Sequence, residues 1–547
     1  MRSIRGAGTA RWRRVVCAIG CALALGGCSD DNDVDVADGD GADGASRTAI
    51  VETANGPVQG LIADGVSQFL GIPFAASPVG DLRWRPPESP ESWTETLETT
   101  AYGDFCAQTN TLGVFASPSA SEDCLYLNVF APRDMDPEAE LPVMVWIYGG
   151  ALFAGESDDY DGSKLVAQGD VVVVTFNYRL NVFGFLSHPA LDDRGQAVSN
   201  YGLMDQQFAF RWVKDNIAAF GGDPDNVTIF GESAGGRSVL AHLVSPAASG
   251  LFERAIIQSG AGLPTTDLAS AEAEGVAFAE QVGCQSDAPE QTTQCLRALS
   301  VEEIQSMALG YQSRQILPLD GTILTQTLDQ ALTSGDFNQV PIVSGTNKDE
   351  NTLFIGLAEL NSGSALTADE YTSQIESRYG DDAEQVLAAY PLTEYDTPGA
   401  ASSAVTTDSD YVCPALEEAR RFSQYVPLYA YEFIDRTAPA YAPPVSFDYG
   451  AYHTSEIQYL FPLYAGGQGT PQALDDAQQA LSDDMVGYWT RFADVADPNS
   501  DGTPDWPAYA GDAPQYQSLE LPEPVTRDIA DLAAAHYCDL WDALAAN

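Results

Sequence analysis

The stretch "IFGESAGG" at residues 229–236 sets a serine between two glycines, after an apolar run and ahead of helix-like sequence. Ser233 there is a candidate nucleophile. Such a serine needs a base to take its proton and an acid to orient that base. It also needs hydrogen-bond donors for the oxyanion that forms on attack. "VWIYGGALFAG" supplies an apolar run ending in Gly149 and Gly150, where backbone amides of Gly150 and Ala151 can approach that oxygen. Each such donor contributes about 3 kcal/mol of transition-state stabilisation. In a chain with 48 glycines neither motif has weight alone; both need elements that bring them together.

Those elements are legible. "LPVMVWIYGG", "DVVVVTFNYR", "NVTIFGES", "RAIIQSG", "VPIVSGTN" and "VPLYAYEF" are short, almost continuous apolar runs. Strands buried on both faces of a parallel sheet read this way. Helix-like stretches such as "QQFAFRWVKDNIAAF" and "CPALEEARRFSQYV" lie between them, and this alternation predicts one α/β domain built on a large, mostly parallel sheet. Ligands of such sheets bind at the carboxyl ends of the strands. "NVTIF" is then a strand and "GRSVLAHLV" a helix, so Ser233 stands on a strained strand-to-helix turn. The helix N-terminus adds the amide of Ala234 to the anion site. Side chains at Gly231 and Gly235 would collide across that turn.

The chain has four histidines. His242 is on the same helix as Ser233, about 13 Å along its axis, and cannot reach the hydroxyl. His188 precedes Ser233, whereas an elbow on such a sheet is followed by its acid and then its histidine. His536 lies in an apparent terminal helix, "IADLAAAHYCDLWDAL", and reads as a packed structural residue. His453, in the glycine-bearing loop "DYGAYHTSEIQYLF", is the expected base. The acid then lies between Ser233 and His453, and "VPIVSGTNKDENTLF" offers Asp349 and Glu350 beyond a buried strand. Residue type and spacing leave both open.

Together these segments resemble the type B carboxylesterases, the cholinesterase and lipase branch of the α/β-hydrolases, from about residue 48 to the C-terminus. "FGGDPDNVTIFGESAGG" and "SEDCLYLNVFAP" are similar to the family's two signatures; "FLGIPFAASPVGDLRWRPP", "NYRLNVFGFL" and "DWPAY" resemble further blocks. The resemblance implies a serine esterase with an α/β-hydrolase fold, Ser233 as nucleophile, Glu350 as acid and His453 as base. It implies oxyanion amides at Gly150, Ala151 and Ala234, and no cofactor or metal. Asn351 and Ala151 stand where many members have glycine, and neither change removes a catalytic group. The loop "CAQTNTLGVFASPSASEDC" lacks the tryptophan with which cholinesterases bind choline by a cation–π contact, so acetylcholine is not the expected substrate. A lipase for long acyl chains is the second reading. A non-catalytic adhesion protein on the same scaffold is the reading from another class, and the three intact triad positions count against it.

The formal net charge of −54 argues against nucleic acid, because the phosphate term would be repulsive; it reads as a solvated acidic surface. Arginine supplies most positive charge, the lysines being Lys164, Lys214 and Lys348. "MRSIRGAGTARWRR" followed by "VVCAIGCALALGG" has the basic and short apolar regions of an export signal. "LGGC" at residues 25–28 resembles a bacterial lipobox, with Cys28 as the lipidated mature N-terminus. The expected organisation is a signal at 1–27, a disordered acidic tether at 28–46 and a catalytic domain at 47–547. The protein would then be an outer-membrane lipoprotein whose only membrane contact is that lipid. Six cysteines remain beyond Cys28, an even number that reads as a disulfide framework in an exported chain. The family resemblance implies Cys106–Cys124, Cys284–Cys295 and Cys413–Cys538. It also implies structural ion pairs Arg83–Glu122 and Arg179–Asp205. "DPNSDGTPD" resembles the start of a calcium loop with Asp497, Asn499, Asp501 and Asp505, but Ala508 stands where a twelfth-position glutamate is needed. A polar surface turn is the expectation there.

Overall fold

A computed structural model of the chain describes residues 46–109, 115–192, 199–307, 316–500 and 502–545. The expected signal and Cys28 lie outside the described residues.

Twelve strands form one sheet. In chain order they are β1 (Ser46–Arg47), β2 (Leu61–Ala63), β3 (Val66–Pro73), β4 (Tyr126–Pro132), β5 (Leu141–Ile147) and β6 (Val172–Phe176). They continue as β7 (Gly222–Glu232), β8 (Arg254–Gln258), β9 (Ile342–Asn347), β10 (Leu428–Phe433), β11 (Gln515–Leu519) and β12 (Val525–Asp528). Their order across the sheet is β1-β2-β3-β4-β6-β5-β7-β8-β9-β10-β11-β12. Pairing is parallel from β6 through to β11 and antiparallel at both margins. The parallel strands are the ones whose sequences show no alternation: every residue of β6, β9 and β10 is buried. That is the consequence of covering both faces with helices. The architecture is an α/β-hydrolase fold.

Register brings the loops of interest to one rim. Gly231 of β7 lies opposite Ile147 of β5 and Ile257 of β8, so the segments after these three strands leave the sheet side by side. Trp146, fully buried, fixes the end of β5 by ring contacts at 5.1 Å to Tyr160 and 4.8 Å to both Phe230 and Phe461. Each such pair adds about 0.5–1.5 kcal/mol beyond its buried area.

The helices that matter for the site are α1 (Tyr201–Asn216), α2 (Ala234–Val244), α3 (Cys413–Phe422) and α4 (Asp476–Val495). A capping box between Asp475 and Gln478 starts α4, satisfying amides that the helix itself cannot. The C-terminal region departs from the single helix its sequence suggests. It forms α5 (Ile529–Ala535) and α6 (Cys538–Ala545), separated where Tyr537 takes a left-handed backbone with φ 51°. The break turns the His536 ring inward, to two carboxylates described below.

Disulfides join Cys106 to Cys124, Cys284 to Cys295 and Cys413 to Cys538. The last ties α6 to the start of α3 across 125 residues, and on the chain-entropy view a loop of that size is worth about 4–5 kcal/mol. Arg179 grips Asp205 with two side-chain hydrogen bonds of 2.8 and 2.7 Å, and Arg83 pairs with Glu122. No helix among the described residues is long and apolar enough to cross a membrane.

Candidate active site

Strand β7 ends at Glu232, and Ser233 turns the chain into α2 with φ 58° and ψ −122°. A non-glycine residue adopts that conformation only when its surroundings hold it there. The Ser233 amide donates to Gln258 O at 2.8 Å, and its carbonyl accepts from Arg237 N at 2.9 Å. A Cβ on Gly235 would fall 1.9 Å from Ile147 O, so the close approach of α2 to the end of β5 requires glycine there.

The loop after β5 is pressed against this turn. A Cβ on Gly149 would lie 3.0 Å from the Ser233 Cβ. Gly150 and Ala151 both have positive φ, 95° and 59°, and Gly150 O accepts from Phe153 N and Ala154 N at 3.1 and 3.0 Å. Gly149, Gly150 and Ala151 all line the cavity that contains Ser233. Ala234 is the first residue of α2, so its amide has no acceptor within the helix ladder.

His453 lines the same cavity. Its Nδ1 is 2.6 Å from Glu350 Oε2, and its backbone amide donates to Glu350 O at 3.1 Å. The other Glu350 oxygen accepts from Asn347 N at 2.8 Å, which fixes the carboxylate at the end of β9. Phe354 and Tyr411 hold the imidazole by ring contacts at 5.1 and 5.4 Å. Tyr411 comes from a π-helical turn, Asp408–Val412, that precedes α3. Asp349 faces elsewhere. Its Oδ2 accepts from Ala451 N at 3.0 Å and from Arg436 Nε at 2.8 Å, bracing the loop that carries His453.

The other candidate histidines are spent locally. His242 Nε2 meets Gln206 Oε1 at 2.7 Å, and burial pushes this imidazole down to about 3. His188 Nδ1 accepts from Ala190 N at 2.9 Å at the start of a short 3₁₀ turn. Asn499 of the calcium-like segment uses its side chain on Asp497 and on the Trp506 backbone, while Asp501 lies outside the described residues. Among the described residues no cluster of His, Cys, Asp or Glu is arranged to hold a metal ion.

Two acids at the site escaped the sequence reading. Glu232, directly before Ser233, places Oε1 3.1 Å from His453 Nε2, but without hydrogen-bond alignment. Burial drives its carboxyl well above the ordinary range, with Glu456 and Glu350 adding repulsion. Glu456 is pushed up to about 7 by burial against the opposing hydrogen bond from Asn347. It accepts from Asn347 Nδ2 at 2.5 Å and from Gln258 Nε2 at 3.2 Å. Glu350 and Glu232 thus flank one imidazole with Glu456 nearby, and the charged forms of Glu232 and Glu456 are disfavoured by burial and by like charge. Adjacency to Ser233 was the available signal for Glu232. For Glu456, three residues past His453, nothing in the sequence separates it from a surface acid.

The cavity is walled by Phe115, Tyr160, Phe354, Tyr411 and Tyr464. Phe115 comes from the Cys106–Cys124 loop, and no tryptophan is among the described lining residues.

Residues 47–541 match the Carboxylesterase family. An acylcarnitine hydrolase of Mus musculus is 37% identical over 523 residues, 89% of this chain and 90% of that protein. The para-nitrobenzyl esterase of Bacillus subtilis is 37% identical over 481 residues, 84% and 92% of the two chains. A cocaine esterase of Homo sapiens is 36% identical over 537 residues, 92% of each. Among solved structures, that of a thermophilic PNB esterase superposes with a TM-score of 0.74 at 34% identity, covering 89% of this chain and 99% of that one.

Proposed function

Because the chain belongs to the carboxylesterase family and is a carboxylic-ester hydrolase, we propose that Ser233, His453 and Glu350 carry its reaction. Ser233 Oγ attacks the ester carbonyl while His453 Nε2 takes its proton. Glu350, bound to Nδ1, fixes the tautomer and stabilises the imidazolium. Amides of Gly150, Ala151 and Ala234 receive the oxyanion, preorganised by the backbone rather than recruited during the reaction. The alcohol leaves with the proton from His453, and water then attacks the acyl-enzyme by the same route in reverse. Glu232 beside Nε2, its carboxyl pushed well above the ordinary range by burial, competes less for that proton than an exposed carboxylate would.

The observation that carries this reading is the 2.6 Å contact between Glu350 and an imidazole that shares a cavity with the strained Ser233 turn. Its test is covalent. A phosphonate ester should label Ser233 alone, and Ser233→Ala should lower kcat by several orders of magnitude in a folded protein. Labelling elsewhere, or surviving activity, would overturn the assignment. A series of p-nitrophenyl esters of rising acyl length separates a short-chain esterase from a lipase. The substrate class is small-molecule carboxylic esters, in keeping with relatives named for acylcarnitine, para-nitrobenzyl and cocaine esterase activities.

We further propose export, with removal of residues 1–27, lipidation of Cys28 and attachment to the outer membrane through the acidic segment 28–46. The basic, apolar and "LGGC" sequence order supports this, and three disulfides suit an oxidising compartment. Mass spectrometry of the mature protein should find a lipid-modified N-terminus at Cys28; an unmodified N-terminus elsewhere would refute it.

A further inference from the structure

The chain carries 79 acidic residues against 25 lysines and arginines, yet it sets an arginine in the wall of its reaction cavity. Arg237 is the only lysine or arginine among the described lining residues. Its position follows from the Ser233 turn. Arg237 N donates to Ser233 O, one helical turn away, and both residues line the cavity. Arg237 Nε points along the segment after β8, 3.4 Å from Ala261 O. On the protein side stands Glu418, whose carboxylate accepts from Gly262 N at 2.8 Å.

Burial disfavours the charged forms of the neighbouring acids, and Arg237 keeps partners within the protein. Glu418 is pushed up to about 7 by burial, against the opposing Gly262 hydrogen bond and the Arg237 charge. The acids lining the cavity, Glu232 and Asp159, are driven well above the carboxylate range, mainly by burial. The cavity therefore combines aromatic walls, acids whose charged forms burial disfavours and one guanidinium a helical turn from the nucleophile. A guanidinium offers a fork of N–H donors that matches a carboxylate, and its charge holds in a dry site where an ammonium would be held less well.

We propose that Arg237 makes this enzyme selective for esters that carry a carboxylate on a short spacer, the guanidinium binding that carboxylate while Ser233 attacks the ester carbonyl. The proposal rests on Ser233 as the nucleophile. Arg237 keeps its bonds within the protein, and the substrate carboxylate adds to that network. Because the overall charge repels anions, the selectivity acts at contact range, in the ratio of kcat/KM values, and not through long-range steering.

Two substrate pairs tell the acyl side from the alcohol side. Monomethyl glutarate against methyl valerate places the charge on the acyl group. O-acetyl-3-hydroxypropionate against propyl acetate places it on the alcohol. With hydrolysis followed by pH-stat, the wild type should favour the charged member of one pair. Arg237→Gln should lower that charged-to-neutral ratio by about 10- to 100-fold, the range of one charge-assisted hydrogen bond. Arg237→Lys should fall between. A ratio that Arg237→Gln leaves unchanged in both pairs, including an equal loss on both members, overturns the proposal. If the variants fail to fold, the wild type decides: preference for the neutral ester in both pairs overturns it. Ser233→Ala run alongside keeps the two ideas apart, since activity surviving there refutes the nucleophile and says nothing for Arg237.

Discussion

His453 and His536 are both buried imidazoles set between two carboxyl groups, and in the proposed reaction they serve opposite ends. At His536 both ring nitrogens are tied, Nδ1 to Asp408 at 2.5 Å and Nε2 to Glu432 at 2.8 Å. Asp408 also accepts from the Tyr390 hydroxyl at 2.7 Å, and Lys348 lies 3.7 Å from Glu432. Burial disfavours the imidazolium, but the two carboxylates outweigh it and carry the pKa up to about 9. At His453 only Nδ1 is tied. Nε2 has no hydrogen-bond partner among the described residues and lies 3.1 Å from Glu232, whose carboxyl burial drives well above the ordinary range. An imidazole that must pass a proton needs one nitrogen fixed and the other available; one that must hold a fold together can spend both. The two sites meet through a single turn, since Asp408 begins the π-helical segment that brings Tyr411 to the His453 ring.

The largest expected effect separates these roles. His453→Gln should lower kcat by about 10⁴–10⁶-fold while costing urea stability only the one Glu350 contact, about 1–3 kcal/mol. His536→Gln should do the reverse. Removing the imidazolium leaves Asp408 and Glu432 buried without their partner, a loss of about 3–5 kcal/mol, with kcat within about tenfold of wild type. Activity assays and denaturation curves on the two purified variants check this. A well-folded His536→Gln protein lacking activity would erase the distinction.

A smaller contrast lies between the adjacent acids. Glu350→Gln removes the acceptor that fixes the His453 tautomer and should cost about 10⁴-fold in kcat. Asp349→Asn weakens the brace to Ala451 and Arg436 and should cost less than about tenfold, with about 1 kcal/mol of stability. A crippling Asp349→Asn would move the acid by one residue.

Physical reach explains what the sequence could and could not reveal. The Ser233 turn and the parallel strands were legible because they are local: an apolar run, a glycine-flanked serine and a helix lie within some twenty residues. Asp349 and Glu350 remained alternatives because adjacent side chains diverge according to loop geometry that no periodicity encodes; in the fold Glu350 turns to His453 and Asp349 to Arg436. The convergence of Glu232, Glu350 and Glu456 joins the ends of separate strands and loops, and burial raises the pKa values of Glu232 and Glu456 only after folding. The break between α5 and α6 was hidden because alanine-rich sequence favours helix, whereas the pull of Asp408 and Glu432 on His536 is tertiary.

The last prediction uses pH to sharpen the same comparison. His536 has a folded pKa of about 9, above its ordinary value of 6.5. A pKa raised on folding means that the folded state binds the proton more tightly. The resulting stability is therefore fully present below about pH 6.5 and is lost progressively as pH rises through about 9. The shift amounts to about 3 kcal/mol. The groups that face the ring are Asp408, Glu432 and, beyond them, Lys348, Tyr390 and Tyr516. They are present in both wild type and His536→Gln, so the difference between the two proteins isolates the imidazole. Urea midpoints measured from pH 6 to 10 should fall more steeply for wild type, and the gap between the two curves should narrow by about 3 kcal/mol across that range. Parallel curves would mean that His536 does not gain its proton on folding, and that the two histidines differ in how many ring nitrogens are tied.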